Sequence, residues 1–452
     1  MAKVTVIDAL MGSGKTTAAF KYINDHPEYS FVYCTPLLSE INRIQKECPE
    51  MNMLDPKRID GRKINGFNWL LEQGKNIAVT HTTFSNSDQT TIENIKGNKY
   101  ILILDEVLDI LVNFNDIASK KIRSGDPQLM LDNGLISVDK YGKVSWIAKD
   151  CEDSSFSDVK TLADKGSLFY LDNSFLVWQF PPAVFDAFEK TFVLTYLFDG
   201  SFLKPYFQYH NIKYDLMTID DGVISPYHPT TEEQLARIRE LITIDFSPKR
   251  NNYKGFSLSK NYYLKASKED KNNLKKNIYN YFRNIAKASS REIMWTAYED
   301  IRIDRKETKI KSVLSGPGYV SRPITEDEEK QVMEDELLTS EEKQKRLTSM
   351  KSCYVPNNAR ATNIYRDRSV LVYALNMYCN RYSERFFSNK NETDGLNIHV
   401  DEDAFSLSCL LQWIWRSQIR DGKPIMIYIP STRMRNLLVE WLNGSNFCDA
   451  AA

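Results

Sequence analysis

The sequence predicts an α/β fold made of two parallel-sheet lobes in tandem. Short, continuous apolar runs alternate with stretches of helical character along the 452 residues, and such runs are typical of strands buried on both faces of a parallel sheet. A glycine-containing loop follows the first run, and an acidic pair ends a later one. Because open parallel sheets bind ligands at the carboxyl ends of their strands, both features point to a site at that edge.

Residues 1–210 are predicted to form the first lobe. A helix is expected from Lys15 to about Ile23, and the alternation of apolar and polar residues over Gly142–Ile147 predicts a hairpin that projects from the lobe. The expected strands are Val4–Ile7, Ser30–Cys34, Asn76–Thr80, Ile101–Leu104 and Phe192–Leu194.

Residues 211–452 are predicted to form the second lobe. Nine Asp or Glu and one Lys lie within 326–342, so we expect an acidic helical insertion at about 313–350, with a surface suited to a basic protein partner. Its expected capping boxes are Thr325–Glu328 and Thr339–Glu342. Elsewhere in this lobe, strands are expected at Ile293–Tyr298, Leu396–Val400 and Ile425–Ile429, and helices at 268–287, 366–379 and 404–420.

The composition indicates an ordinary globular protein, with 42% hydrophobic and 26% charged residues. No apolar run approaches the roughly 18 residues of a membrane span, so we expect a cytoplasmic protein with no membrane partner. The seven scattered cysteines and five histidines favour free thiols and no zinc site. Since the net charge is only −1, a nucleic acid would have to bind through a local patch.

The first functional motif is the segment Ala9–Thr16, which directly follows the first strand and opens a helix. Glycines let backbone N–H groups turn towards a phosphate, the lysine supplies a cation, and the threonine hydroxyl is a ligand for Mg²⁺. We therefore predict a site for the phosphates of a nucleotide and for Mg²⁺. Its nucleotide contacts are expected from Met11, Gly12, Ser13, Gly14, Lys15, Thr16 and Thr17.

The second motif is the pair Asp105-Glu106, which ends the apolar strand Ile101–Leu104. We predict that Asp105 holds Mg²⁺ together with Thr16, and that Glu106 orients and deprotonates the attacking water. The pair therefore predicts ATP hydrolysis and not binding alone.

The third motif is the segment Gln412–Arg420. Arg416 and Arg420 are four residues apart, so on a helix they would share one face and could contact a γ-phosphate. The alternative is a surface helix with paired arginines and two buried tryptophans, and the residues alone leave both interpretations open.

In this order, the three motifs resemble motifs I, II and VI of superfamily 2 helicases, and the chain is similar to the DEAD-like helicases encoded by bacteriophages. The resemblance spans residues 3–443 and implies two RecA-like lobes. It also departs from the family pattern, since Thr195-Tyr196-Leu197 replaces Ser-Ala-Thr and the second arginine follows Gln412 by eight residues where seven is usual. The catalytic residues that it implies are Lys15, Glu106, Gln412, Arg416 and Arg420.

Further segments resemble motif Ia, the next DNA-contacting loop, and motifs III, IV and V of that family, in this order along the chain. They are Tyr33–Pro36, Thr80–Thr82, Leu194–Tyr196, Met294–Thr296 and Asn358–Asn363. Contacts of this kind go to the phosphate backbone and are independent of sequence. The implied nucleic-acid residues are Thr35, Thr80, His81, Thr82, Trp295, Arg360, Thr362 and Asn363.

A basic segment, Lys249–Arg291, contains twelve Lys or Arg against Glu269 and Asp270. The aromatic residues among its lysines could form a wall on which bases stack. Equally, the segment could be a solvated helix face with tyrosines packed beneath it.

Together these observations predict an ATP-dependent helicase or translocase in phage replication or recombination, acting on single-stranded or branched DNA in the host cytoplasm. Two alternatives stay open, a terminase-like DNA-packaging ATPase and a non-motor adaptor that uses ATP as a switch. A terminase needs a nuclease site, and the best acidic cluster for one, Asp401-Glu402-Asp403, is predicted to cap a helix instead.

Overall fold

The computed structural model describes residues 2–149, 155–303, 306–320, 330, 332–334, 339–340, 343, 347, 353–358 and 364–445. The chain divides into two compact units. We call Met1–Pro229 with Cys379–Phe405 the first lobe, and Thr230–Tyr378 with Ser406–Ala452 the second lobe.

The first lobe is built on a seven-stranded sheet. Its helices are α1 Lys15–Asp25, α2 Leu38–Glu47, α3 Lys63–Glu72, α4 His81–Phe84, α5 Gln89–Asn98, α6 Phe114–Ile117, α7 Asp126–Asp132, α8 Ser157–Asp164, α9 Ala183–Ala187, α10 Leu203–Tyr209 and a later helix, Arg381–Asp394. Its strands are β1 Val4–Asp8, β2 Ser30–Thr35, β3 Ile77–Thr80, β4 Tyr100–Asp105, β5 Leu111–Asn113, β6 Ile136–Val138, β7 Val144–Trp146, β8 Leu168–Leu171, β9 Phe175–Gln179, β10 Lys190–Thr195, β11 Tyr214–Asp220 and β12 Val223–Pro226.

The strand order of this sheet is β12-β11-β1-β10-β4-β2-β3, and every pairing is parallel except that of β11 with β12. Successive residues of β2 enter two different cores, with Phe31 and Tyr33 in one and Val32 and Cys34 in the other. The sheet is thus covered on both faces, as predicted. All five predicted strands are confirmed, and β1, β2, β3, β4 and β10 end at the same edge.

The division between the lobes differs from the predicted boundary at 210 in two respects. β11 and β12 extend the first sheet, so the first lobe continues to Pro229. The segment Cys379–Phe405 also returns to it, because Phe386 and Phe387 are buried in its core.

The predicted hairpin is confirmed, since β6 pairs antiparallel with β7. It belongs to a small substructure whose other sheet has the order β5-β9-β8. A separate core, which includes Phe114, Met130 and Val159, lies within this substructure.

The second lobe contains a four-stranded parallel sheet of order β13-β18-β17-β14. The strands of the lobe are β13 Ile242–Ile244, β14 Ile293–Thr296, β15 Ile301–Ile303, β16 Lys306–Thr308, β17 Val370–Tyr373 and β18 Ile425–Tyr428. Of these, β15 and β16 form a separate two-stranded sheet. The helices of the lobe are α11 Glu232–Leu241, α12 Lys260–Lys265, α13 Lys268–Asn280 and α14 Lys311–Leu314; after the first-lobe helix Arg381–Asp394, which is α15, come α16 Glu402–Ile414, which begins in the first lobe, and α17 Thr432–Leu442.

Two predicted elements of the second half are wrong, and a third is a helix that ends earlier than expected. The expected helix 366–379 contains strand β17, because Val370–Tyr373 is a β-branched and aromatic run buried along its whole length. Leu396–Val400 is irregular, and its Ile398 packs into the first lobe's core without strand pairing. The expected helix 404–420 ends at Ile414.

Most of the predicted acidic insertion lies outside the described residues, including Thr325–Glu328 and Glu342. In the part of the chain that the structure describes, no helix is both long enough and apolar enough to cross a membrane.

Candidate active site

The loop between β1 and α1 has the backbone of an anion site. Gly12 and Gly14 have φ of 84° and 91°, a region that side chains with a Cβ rarely adopt. An added Cβ would meet no atom within 4 Å at either position, so it is the backbone conformation that requires glycine. Gly14 caps α1, whose first turn carries no acidic residue, and the positive end of the helix therefore faces the loop.

Two side chains of this loop fit a phosphate group. Lys15 Nζ donates to the carbonyl oxygen of Leu10 at 3.0 Å and to that of Ala9, so the ammonium lies over the loop. Ser13 Oγ is buried without a hydrogen-bond partner among the described residues. A bound phosphate would meet the Lys15 cation and satisfy the Ser13 hydroxyl, so the residues present fit ATP.

Asp105 lies across the sheet edge from the loop. Its Oδ1 is 3.5 Å from Thr16 Oγ1, and its Oδ2 accepts a hydrogen bond of 2.6 Å from the Tyr33 hydroxyl. Burial raises the pKa of Asp105 to about 6, the Tyr33 hydrogen bond opposes that rise, and the charge of Glu106 adds to it. The Thr16 and Asp105 oxygens are a donor set that suits Mg²⁺.

Glu106 has a strained backbone at this edge. Its φ is 63°, a conformation that costs a non-glycine residue about 1–2 kcal/mol. Its N–H donates to the carbonyl oxygen of Leu194 in β10 at 3.1 Å. Since β10 separates β1 from β4 in the sheet, the ends of these two strands stand two strand spacings apart, or about 10 Å, and the Thr16 and Asp105 side chains close that distance.

Sequence reasoning missed two residues of this site. Asp8 ends β1 and accepts the N–H of Phe198 at 2.9 Å, and burial raises its pKa to about 6. It thereby ties the start of the phosphate loop to the loop after β10. The signal for Asp8 was an acidic residue ending a buried strand. Tyr33 gave a weaker signal, because its contact with Asp105 depends on the pairing of β2 with β4.

The four residues of the first lobe that are predicted to contact nucleic acid differ in their exposure to solvent. Thr80 and Thr82 are half-buried and exposed, respectively, at the same edge as the phosphate loop. Thr35 is fully buried, and His81 is buried with its ring Nε2 at 2.9 Å from the carbonyl oxygen of Asp105. Among these four, Thr82 has the most accessible side chain.

Trp295 is not at a surface. It is fully buried in β14, and its ring packs 5.1 Å from that of Tyr354 and 6.0 Å from that of Tyr319. Its burial in the second lobe's core does not favour the predicted contact with nucleic acid, which stays a prediction. Arg360, Thr362 and Asn363 lie outside the described residues.

The predicted arginine pair is not on one helix face. The Ser417 hydroxyl donates to the carbonyl oxygen of Ile414 at 2.7 Å, where α16 ends. Arg416 follows this end and is buried, while Arg420 lies exposed on the separate 3₁₀ turn Gln418–Asp421. Gln412 is exposed, whereas its neighbours Trp413 and Trp415 are buried, as the alternative interpretation expects.

The aromatic residues of the basic segment are mostly core residues. Tyr263, Tyr281 and Phe282 are buried in the second lobe. Two are exposed: Tyr279 has 41% of its surface exposed, and Phe256 has 75%, with its ring 5.4 Å from that of Tyr378. The Phe256 loop is fixed by the Asn376 amide, which donates to the carbonyl oxygens of the neighbouring residues 255 and 257.

The described residues contain no group of three or more His, Cys, Asp or Glu side chains that could hold a metal ion. Asp401 caps α16 by accepting the N–H of Ala404 at 2.8 Å. Glu402 accepts the N–H of Cys379 at 3.1 Å, outside that helix.

Comparisons with known proteins give two family matches and one close relative. The YonV C-terminal Rossmann-like domain matches residues 236–442, and the YonV middle domain matches 117–178, which covers the substructure of β6 to β8. The SPbeta prophage-derived uncharacterized protein YonV of Bacillus subtilis (strain 168) is 32% identical over 98% of this chain and 99% of its own length. Among solved structures, an XPD helicase matches with 11% identity and a TM-score of 0.46, over 98% of this chain and 95% of its own.

Proposed function

The chain belongs to the YonV family, and we propose that it is an ATP-hydrolysing enzyme that moves along nucleic acid or separates its strands. The observation that carries the proposal is the meeting of Thr16 and Asp105 at 3.5 Å beside the N-terminus of α1, with Glu106 next in the chain. A loop for phosphate alone would need no adjacent acidic pair.

The proposed nucleotide contacts are the loop residues from Met11 to Thr17. ATP with Mg²⁺ supplies the phosphoanhydride bond whose cleavage drives the motor. Lys15 neutralises phosphate charge, Thr16 and Asp105 offer the metal two oxygens, and the Glu106 carboxylate accepts a proton from water.

The proposed catalytic residues of the second lobe are Gln412, Arg416 and Arg420. This part of the proposal rests on the motif resemblance, since Arg416 and Arg420 lie on separate segments. Arg416 is the stronger candidate, because a buried guanidinium is costly to keep unless it serves a purpose.

The proposed substrate is single-stranded or branched DNA, bound through its backbone. Thr80 and Thr82 would contact phosphates in the first lobe, and Arg360, Thr362 and Asn363 in the second. Phe256 adds an exposed ring on which a base can stack. The prophage origin of the relative is the reason for proposing phage replication or recombination.

The geometry of the site favours neither a terminase-like packaging ATPase nor a non-motor adaptor that uses ATP as a switch. Asp401 and Glu402 accept backbone N–H groups, Asp401 from Ala404 and Glu402 from Cys379, which does not favour a terminase nuclease. A carboxylate at Glu106 that can accept a proton from water favours turnover over an ATP switch, which needs no base.

ATP hydrolysis without nucleic acid and with single-stranded DNA, duplex DNA or RNA tests the proposal. We expect stimulation by at least one nucleic acid, and most by single-stranded DNA. Lys15→Ala should abolish the activity, while Lys21→Ala, an exposed lysine of the same helix, should retain it. Equal rates in all conditions would contradict a nucleic-acid motor, and no hydrolysis at all would contradict the proposal entirely.

A further inference from the structure

The peptide group that joins Asp105 to Glu106 is held from both sides. Its carbonyl oxygen lies 2.9 Å from His81 Nε2, and its N–H donates to the carbonyl oxygen of Leu194 at 3.1 Å. A carbonyl can only accept, so His81 Nε2 must carry a proton and donate. The two partners lie at the ends of different strands, β3 and β10, on opposite sides of β4 in the sheet.

This double attachment restrains the backbone from which the Glu106 side chain extends. With its φ at 63°, Glu106 is in a conformation that a free chain seldom populates. Fixing the peptide plane ahead of it removes one of the backbone rotations that place the Glu106 side chain. A rotation of the plane would swing the carboxylate away from the water it is proposed to deprotonate.

His81 stands between the nucleotide site and the proposed nucleic-acid loop. It is the first residue of α4, and its chain neighbours are Thr80 and Thr82. Its own ring is buried and turned towards Asp105, so it is poorly placed to contact a nucleic acid. A movement of the loop when a strand binds Thr82 would reach the Asp105 carbonyl through this ring.

We propose that His81 is a positioning residue that couples nucleic-acid binding at Thr80–Thr82 to the orientation of Glu106. The inference rests on the proposed function and replaces the predicted role of His81 as a nucleic-acid ligand. It assigns the stimulation of hydrolysis to one hydrogen bond, whose donor can be removed or replaced.

Steady-state ATP hydrolysis by His81→Leu, His81→Gln and the wild type tests the coupling. Leu has no donor, so the kcat with single-stranded DNA should fall at least tenfold while the KM for ATP stays within about twofold. Gln offers an amide N–H to the same carbonyl and should restore part of the stimulation. The matched control is His26→Leu, because His26 also bonds a backbone carbonyl, that of Tyr22 at 2.8 Å, at the far end of α1.

The outcomes separate this inference from the proposed function. If the wild type hydrolyses no ATP under any condition, the proposed function fails. If the wild type is stimulated by DNA and His81→Leu is stimulated equally, the coupling is overturned and the proposed function stands. A parallel loss in His81→Leu and His81→Gln, with a raised KM, would make His81 merely structural and also overturn it.

A measurement on the wild type covers the case in which the variants do not fold. Amide hydrogen exchange at Glu106 reports the N–H of the clamped peptide directly. We expect its protection to change when single-stranded DNA is added. Unchanged protection, with DNA shown to be bound, would overturn the proposal.

Discussion

The two lobes differ in how well the predicted motif residues come together. In the first lobe, Thr16, Asp105 and Glu106 meet at one sheet edge, and Lys15 lies over the adjoining loop. In the second, the predicted residues scatter: Trp295 is core, Arg416 is buried, and Gln412 and Arg420 are exposed on different segments.

The two lobes differ because the backbone determines the loop of the first lobe, whereas a helix register was needed to bring together the arginines of the second. The phosphate loop is determined by backbone, through two glycines at positive φ and a strand that ends in an acid. The arginine pair was predicted from four-residue spacing on a helix, and that helix ends before either arginine. Motifs set at a strand–loop–helix junction are therefore more predictable than motifs set by a helix register.

The largest expected effect belongs to the first lobe. Lys15→Ala removes the cation at the phosphates and should lower kcat/KM for ATP by on the order of 10³ or more. Lys21→Ala should stay within about twofold, since it removes an exposed charge from the same helix. Colorimetric phosphate release measures both, and equal losses in the two variants would contradict a specific role for Lys15.

The second prediction compares the two arginines of the second lobe, Arg416 and Arg420. Arg416→Ala should lower kcat by about 10²–10³, as expected for an arginine that meets charge in the transition state. Arg420→Ala should have a smaller effect, because its side chain is exposed on the 3₁₀ turn. The same assay with a thermal melt of each variant measures this, and a larger loss in Arg420→Ala would reverse our ranking.

A smaller effect is expected on DNA binding. Phe256→Ala removes an exposed ring and should weaken single-stranded DNA binding by about 1–3 kcal/mol, the worth of one stacked base. Phe246→Ala is the control, since Phe246 is 60% exposed in the same lobe. Fluorescence anisotropy with labelled DNA compares them. Equal affinities in both variants and the wild type would remove Phe256 from the substrate path.

The smallest effect is on stability and depends on pH. The pKa of Asp105 is raised to about 6 in the fold, above its ordinary 3.8, so its ionisation destabilises the folded nucleotide-free protein. This cost develops between about pH 4 and pH 6 and is complete above. Asp105→Asn should therefore stabilise the protein by on the order of 1–3 kcal/mol at pH 8 and by much less at pH 4.5.

Thermal melts at the two pH values measure this difference. Tyr33→Phe serves as the companion variant, because it removes the hydrogen bond that favours ionised Asp105 and should destabilise the protein most above pH 6. A stabilisation by Asp105→Asn that is the same at both pH values would show that burial does not perturb this carboxyl.

The sequence is sufficient to predict most of the first lobe and the glycine-containing loop between β1 and α1. The apolar runs of β1, β2, β3, β4 and β10 are buried on both faces, and this is the condition under which hydrophobicity marks strands well. The sequence could not predict that the Tyr33 hydroxyl reaches Asp105. These residues are 72 positions apart in the chain, and their contact depends on the pairing of β2 with β4.

In the second half of the chain, local sequence patterns do not predict the secondary structure and packing of several segments. Val370–Tyr373 was placed in a helix, because a short apolar run does not itself distinguish a strand from a helix. Phe386 and Phe387 pack in the core of the first lobe, although they follow the strands of the second lobe in the sequence. No local sequence pattern predicts this long-range packing. The roles of Arg416 and Arg420 stay predictions, as do those of Arg360, Thr362 and Asn363.

The central claim is that Glu106 is the base of an ATPase whose nucleotide is held by the neighbouring loop. ATP binding and hydrolysis by Glu106→Gln, measured side by side with a fluorescent ATP analogue and phosphate release, test it most directly. We expect affinity within about threefold of the wild type and kcat reduced by on the order of 10² or more, since the amide keeps the shape but accepts no proton. An unchanged kcat, or a loss of binding equal to the loss of hydrolysis, would contradict the account.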